Sequence, residues 1–429
     1  MMPDFKHLDT SVLPAKWGAD FFGNIVDFKL GKTPARSNAS YWKDGQYPWV
    51  SISDMKPHKT VINTAEQVSQ DAFENVFRRK LIPAGSLLMS FKLTIGRIAT
   101  LGVPAFHNEA IISFLPDGKK IDKTYLGYYL SQINYKDYQD TAIKGQTLNK
   151  GKLKSLEIAL PPLPEQKKIA YVLSTVQRAI EQQERIITTT TELKKALMQK
   201  LFTEGLRGEP QKQTEIGLIP ESWEVLELGA LAKVGNGSTP KRANQSYWDG
   251  GTIPWLNSTK IHDRFITEAD QFVTSQAVKE CHLPRVAPNS LLIAITGQGK
   301  TLGNSAITRI ETCINQHLAY AQFHSEKVAP DFVMWYMQTR YDFLRSIAHG
   351  GGSTKGALTC GFLKTLPIPI PSQNEQSEIV NLFEVVEDKL NVASRKKSGL
   401  QNMLNTLLHD LMTAKTCVDE LDAGGAQMG

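Results

Sequence analysis

The stretch of this 429-residue chain that comes nearest to a nucleotide site is Ala294-Ile295-Thr296-Gly297-Gln298-Gly299-Lys300-Thr301. A phosphate-binding loop needs GxxxxGK[ST], its first glycine allowing the backbone to turn beneath the phosphates. Here that position is Ala294, and the matching stretch 90–97 has no such lysine. A P-loop-like NTPase centred on Lys300 is therefore an alternative only, set against a basic loop that follows a strand and lies along DNA phosphates. Nuclease chemistry of the PD…ExK type needs carboxylates on neighbouring strands to hold a divalent metal. Pro116-Asp117 with Glu192 and Lys194, and Pro330-Asp331 with Glu387 and Lys389, match as strings. Both ExK triplets fall in the middle of helical periodicity, so they are expected to be solvated helix-face charges. The histidines form no HExxH, and His107 and His317 are expected in loops or core rather than on a metal. There is no GxSxG elbow and no GxGxxG opening a helix. Pro161-Pro162 is followed by Leu163 and lacks the preceding acid or amide and the aromatic residue of an amino-methyltransferase loop. The expectation is a chain without catalytic residues and without a metal.

Composition sets the frame in which other chemistry must work. With 41% hydrophobic and 21% charged residues the chain can build cores, and its length suggests two or three domains. Its most apolar runs fall short of the roughly 20 residues needed to cross a bilayer. The first residues lack the apolar run of a secretory signal, and the four cysteines never form a CxxC pair, so a cytoplasmic protein is expected. Residues 1–160 hold 21 Lys and Arg against 15 Asp and Glu, and the remainder holds 28 against 28. A basic excess confined to one segment permits a nucleic-acid surface without establishing it.

The stronger signal is that the chain resembles itself. Pro14 and Trp17 return as Pro220 and Trp223, Gly31-Lys32-Thr33-Pro34 as Gly237-Ser238-Thr239-Pro240, Tyr41-Trp42 as Tyr247-Trp248, and Pro48-Trp49 as Pro254-Trp255. Farther on, Asn108 matches Asn315, Tyr128-Tyr129-Leu130 matches Trp335-Tyr336-Met337, and Glu165-Gln166 matches Glu375-Gln376. Units this long are duplicated domains rather than solenoid repeats. In each, short β-type runs (47–52, 86–91 and 111–115; 253–256 and 290–295) and one helical segment (124–135; 330–341) read as a mixed α+β domain. The paired tryptophans are assigned to the core.

Each unit then changes character at a proline-rich hinge, 160–164 and 367–371, where proline favours a helix start over a strand ladder. Ser372 with Glu375 makes a capping box, and Glu165 suits a helix N-terminus. Apolar residues follow at 3–4 spacing, at Ile169, Val172, Val176, Ile180, Ile187, Leu193, Leu197 and Leu201, ending before Gly205. The second stripe is Ile379, Leu382, Val386, Leu390, Ala393, Leu400, Leu404, Leu407 and Leu411. Helices of about 40 residues run about 60 Å, and each buries its stripe best on the other as an antiparallel pair. The fold class is thus α+β, with two similar mixed domains, two long helices forming an antiparallel intramolecular coiled coil, and pseudo-twofold symmetry. The boundaries expected are domain 1 at 1–160, helix 1 at 161–205, linker and domain 2 at 206–370, helix 2 at 371–414, and a disordered tail at 415–429.

Two such domains, each followed by a long helix entered through Leu-Pro-Pro-Leu-Pro-Glu-Gln at 160–166, resemble the specificity subunit of type I restriction-modification systems. The residues carrying this are Leu13-Pro14-x-x-Trp17 and Ile219-Pro220-x-x-Trp223, the x-Thr-Pro turns at 31–34 and 237–240, and the two Pro-Trp pairs; the second hinge departs but keeps Glu375-Gln376. The resemblance implies a non-catalytic subunit whose domains each read one half of a split, asymmetric sequence in double-stranded DNA. It implies helices that dock two methyltransferase subunits, through Glu165, Gln166, Glu375 and Gln376, with restriction subunits able to join. No cofactor is implied in this chain: S-adenosylmethionine belongs to the methyltransferase partner, ATP and Mg to the restriction partner. The DNA contacts expected are Lys32, Arg36, Lys43, Ser51, Ser53, Lys56, Lys92 and Arg97 in the first domain, and Lys241, Arg242, Asn257, Thr259, Lys260, Lys300 and Asn304 in the second. A specificity subunit of a related fused methylase-nuclease system is the nearest alternative.

Overall fold

The computed structural model describes residues 13–92, 94–116, 118–135, 140–142, 145–297, 299–350 and 356–418. Asp117, Gln298 and residues 419–429 of the expected tail lie outside the described residues. Residues 415–418 are described, and Val418 is buried in the first core rather than belonging to a loose tail. The chain divides into two compact units, Met1–Glu184 with Ser394–Gly429, and Arg185–Ala393.

The duplication is visible strand by strand. In the first unit Phe28–Leu30, Ile111–Phe114, Leu87–Ser90, Ile98–Leu101 and Thr60–Val61 form a five-stranded sheet in that spatial order. Ala232–Asn236, Leu318–Phe323, Ser290–Ala294, Ser305–Thr308 and Phe265–Ile266 form the same sheet, in the same order, in the second. Beside each lies a three-stranded sheet, in which Tyr47–Val50 sits between Glu66–Val68 and Phe106–His107, and Ile253–Leu256 between Gln271–Val273 and Cys313–Ile314. The expected strands are present with slightly shorter ends. The expected helices run Lys123–Gln132 and Pro330–Thr339, the second followed by a further helix at Tyr341–Gly350. Leu88 and Leu292 are fully buried at the middle of each larger sheet.

Both hinges launch helices as expected, but the second is itself a strand. Glu157–Leu160 pairs antiparallel with Gly18–Phe21, and Pro367–Ile370 pairs with Glu224–Glu227. A proline-bearing segment can form a strand in a two-stranded ribbon because one edge of each strand needs no ladder donor. In each unit a strand ahead of the larger sheet is thereby paired with the last strand before the long helix. The helices begin directly afterwards, as Leu163–Glu204 and Gln373–Met412. Gly205 ends the first in the left-handed conformation, φ +64.

Both helices contribute to the core of each unit. In the first, Ile169, Leu173 and Ile180 share a core with Leu404, Leu408 and Leu411. In the second, Leu201 and Phe202 share one with Ile379 and Phe383, the two phenyl rings stacking at 5.9 Å. Early residues of one helix meet late residues of the other, so the pair is antiparallel. Leu193 and Leu382, counted in the apolar stripes, are 50% and 42% exposed; Thr190, a polar interruption of the first stripe, is buried, and on the second helix Phe383 is buried in place of Leu382.

Candidate nucleic-acid interface

In the first domain several chain segments converge where Tyr47–Val50, Phe106–His107 and Leu87–Ser90 end. The Asn108 N–H donates to the Val50 carbonyl at 3.0 Å, Lys32 N–H to His107 at 2.9 Å, and Phe91 N–H to Ala110 at 2.9 Å. These bonds gather the Gly-Lys-Thr-Pro turn, the loop after the Leu87 strand and the turn 108–111 at one pole. A side-chain carbon at Gly31 would collide with the carbonyls of His107 and Asn108, so only glycine lets the turn approach this closely. Asn108 fixes its own turn, its side-chain oxygen accepting from Ala110 N–H at 3.0 Å. That turn presents the exposed Glu109, whose carboxylate accepts a hydrogen bond from Thr33 Oγ1. Burial raises the Glu109 carboxyl, but the Thr33 hydrogen bond and the nearby Lys92 and Arg36 outweigh it and hold it below the usual carboxylate range.

A stacked pillar stands beside this turn. Trp42 and Trp49 pack edge to face at 5.2 Å, and the Arg36 guanidinium lies 3.8 Å from the Trp42 ring centre. Trp49 Nε1 donates to the Lys32 carbonyl at 3.0 Å, tying the pillar to the turn. Arg36 is held from its other side by the Glu66 carboxylate, which raises the guanidinium and lowers the acid.

The second domain repeats the arrangement with different side chains. Asn315 N–H donates to Leu256 at 2.9 Å, Ser238 N–H to Ile314 at 3.0 Å, and Ile295 N–H to His317 at 2.9 Å. The Asn315 side chain accepts from His317 N–H at 3.0 Å. Trp248 and Trp255 pack edge to face at 5.2 Å under Arg242, which lies 3.8 Å from the Trp248 ring centre. Gln316 now occupies the place of Glu109, accepting from Thr239 Oγ1, and Gln271 that of Glu66, accepting from Arg242 at 2.6 Å. His317 stands where the first domain has Ala110, and its Nδ1 meets Thr296 Oγ1.

The duplicated frame has a counterpart in known sequences. The family described as "Type I restriction modification DNA specificity domain" matches residues 14–189 and again 220–402. The chain belongs to this family. A specificity subunit is the DNA-recognition part of a restriction-modification system and not its catalytic part. A Methanocaldococcus jannaschii protein assigned as the MjaX type I restriction enzyme specificity subunit is 28% identical over 431 residues, covering 96% of this chain and 96% of its own. The MjaVIII specificity subunit of the same organism is 22% identical, with 98% and 97% covered. Among solved structures, the type I S subunit from M. genitalium has a TM-score of 0.60 at 16% identity, covering 96% of this chain and 99% of that one, a likeness of fold.

In this specificity subunit the basic residues expected on DNA divide into two groups. Lys32, Lys43, Lys56, Lys241 and Lys300 are exposed, and Lys92 is half-buried at the pole beside Glu109. Arg36 and Arg242 are exposed but organised as pillars. Arg97 turns inward, donating to the Ile52 carbonyl at 3.0 Å. Lys260 is held between Asp263 at 3.2 Å and Asp270 at 3.1 Å with its side chain 12% exposed, so its charge is already answered within the protein. Ser51 caps the turn at Ile52–Asp54, bonded to Asp54 and to Ser53, and Asn257 accepts from Thr259 N–H at 2.9 Å in the equivalent place. Asn304 donates to the Lys300 carbonyl at 2.6 Å. Sequence reasoning missed Thr33, Glu66, Glu109, Thr239, Gln271, Gln316 and His317. Asn108 and Asn315 had marked the turn, and the residues following them differ.

The tryptophan assignment holds for Trp17, Trp49, Trp223 and Trp255, which are buried, whereas Trp42 and Trp248 are half-buried beneath arginines. No helix follows the Lys300 turn, since the chain goes from the Ser290–Ala294 strand to the one at Ser305–Thr308, so the context of a phosphate-binding loop is absent. The ExK charges of the second unit are not all solvated either. Glu387 is buried, paired with Lys194 and, at 2.7 Å, with Arg264, whose guanidinium lies 4.6 Å from the Trp335 ring centre. Burial raises the Glu387 carboxyl, and its two cations more than reverse this, leaving it low. No cluster of His, Cys, Asp and Glu able to hold a metal occurs among the described residues. No described helix is long and apolar enough to cross a membrane.

The four residues expected to meet partner subunits are instead internal anchors. Gln166 and Gln376 are buried, their amides donating to Pro161 at 2.8 Å and Pro371 at 2.9 Å and accepting from Asp122 N–H at 2.8 Å and Ala329 N–H at 2.7 Å. Glu375 is buried against Leu206 N–H at 2.9 Å and Trp223 Nε1 at 3.2 Å, and Glu165 pairs with Lys16 at 3.0 Å. Side chains so committed expose little surface; they fix each helix start to its domain. The Ser372 side chain accepts from Glu375 N–H at 3.3 Å, but Glu375 turns away, so only half of the expected capping box forms.

Proposed function

We propose that this chain reads a split, asymmetric sequence in double-stranded DNA, one half by each domain, within a complex of two methyltransferase subunits that restriction subunits can join. The observation that carries the reading is the pair of poles: one backbone frame, built twice, holding Lys32, Lys92, Glu66 and Glu109 in one copy and Ser238, Thr296, Gln271 and Gln316 in the other. Bases are distinguished by donor and acceptor groups in the groove, so one frame carrying different groups calls for different half-sites. The exposed Lys32, Lys43, Lys56, Lys241 and Lys300, with the half-buried Lys92, position the duplex through phosphates, and Arg36 and Arg242 reach it from their pillars.

Two half-sites on one chain gain effective concentration over either alone, and the long helices set the gap between them. The recognition domains in this reading are 1–160 and 206–370, with helices at 161–205 and 371–414 as spacer and docking surface. S-adenosylmethionine is used by the methyltransferase subunits, ATP and Mg by the restriction subunits, and the complex works in the cytoplasm. The test is to purify the chain with its methyltransferase subunits, select duplexes from a random pool and sequence those retained. A split motif with two unlike halves at a constant gap is expected. A folded complex that enriches no sequence would overturn the reading.

A further inference from the structure

The two poles differ most usefully at one position. Glu109 and Gln316 occupy the same place in turns whose backbones are fixed alike, by the cap from Asn108 or Asn315 and by the bond to Val50 or Leu256. Each is exposed, and each is steadied by the hydroxyl of the equivalent threonine, Thr33 or Thr239. Each stands beside a turn anchored to a tryptophan by a hydrogen bond, Trp49 to Lys32 at 3.0 Å and Trp255 to Ser238 at 3.2 Å. A side chain held this way loses little freedom on meeting a partner, and its polar group is what the partner must match. The surroundings are arranged to present the side chain, while the chemistry presented changes from carboxylate to carboxamide.

We propose that Glu109 and Gln316 are specificity-determining residues, one per domain, that make the two halves of the target chemically different; this rests on the DNA-reading function above. A carboxylate only accepts hydrogen bonds, so Glu109 demands an exocyclic amine, that of cytosine or adenine, and rejects the acceptor edges of guanine and thymine. Gln316 carries both an acceptor and donors, a pattern that matches the N6 and N7 edge of adenine. His317, beside Gln316 with ring and amide 3.2 Å apart, has no counterpart at Ala110 and widens the polar edge of the second domain alone.

The experiment uses the full chain purified with its methyltransferase subunits, a random duplex pool, and the variants Glu109→Gln and Gln316→Glu beside the unmodified protein. Glu109→Gln should change the preferred base at one position of one half-site, with a shift of about tenfold in relative enrichment, and leave the other half unchanged. Gln316→Glu should do the converse. Melting curves check that each variant is folded, and Glu109→Ala, which should relax preference at that same position, gives an independent reading. Variants that select the unaltered motif would overturn this proposal alone, as would an equal loss of affinity for all sequences. Failure of the unmodified complex to select any motif would overturn the DNA-reading function, and this inference with it.

Discussion

His107 lies under the first pole, where the chain leaves a strand for the turn that carries Glu109. Burial pushes its imidazole down to about 4, and burial does the same to His58, stacked 4.7 Å from Tyr128. Both rings are neutral in the folded protein, and in the unfolded chain they bind protons near pH 6.5. Their folded values lie below the unfolded one, so stability is complete above about pH 6.5 and falls as pH drops from there toward 4. The loss approaches about 3 kcal/mol for each ring at the lower limit. Urea midpoints measured between pH 7.5 and 5 should fall, and His107→Asn should flatten the decline. Equal slopes for variant and parent would remove His107 from the account. The lysines allow a sharper contrast. Lys92→Ala should reduce the slope of log affinity against log salt by about 1, while Lys260→Ala, whose ammonium is already paired with Asp263 and Asp270, should leave it unchanged. Fluorescence anisotropy over a salt series decides between them. The tryptophans and the Thr-Pro turns are legible as identities between the repeats because they build the frame. Glu109 and Gln316 are not, because they are what differs between two copies of one frame.

The long helices were legible because apolar spacing over 40 residues leaves little choice, and their antiparallel partnership followed from the length of stripe each had to bury. Their finer features were not. Whether a charge on a long helix is solvated depends on what lies across the seam, and nothing local to Glu387 signals Arg264. Likewise Glu-Gln after a proline hinge reads as a polar helix start, while its burial depends on Lys120, Pro161 and Asp122 folding over it. Each unit has a comparable ionic tie: Glu387 between Lys194 and Arg264 in one, Glu184 between Lys59 and Lys397 in the other. Removing the single anion of the more buried tie leaves two cations facing each other. Glu387→Ala should therefore cost about 3 kcal/mol, seen as a lowered melting temperature, whereas Glu184→Ala in the more exposed tie should cost much less. Similar melting shifts for both would show that burial does not separate the two ties.

At the scale of the whole chain, two recognition domains share a pair of helices, each of which passes through both units. If the helices set the gap, deleting seven residues from each, about 10 Å of rise, should change the number of unspecified base pairs between half-sites while each half-site keeps its sequence. Selection from a random pool reads both at once, and an unchanged gap would show that the helices do not set it. The strand pair that closes each domain has a further consequence, in the realm of inheritance. Gly18 lies opposite Leu160, and Glu224 opposite Ile370, so the chain enters and leaves each domain at neighbouring points. A segment exchanged between those strands would keep its points of entry and exit, provided it also keeps the contacts that Asp122 and Lys59 make with the helix. If each domain reads one half of the target, such an exchange would give a lineage a new half of its address while the helices and the other half stayed as they were.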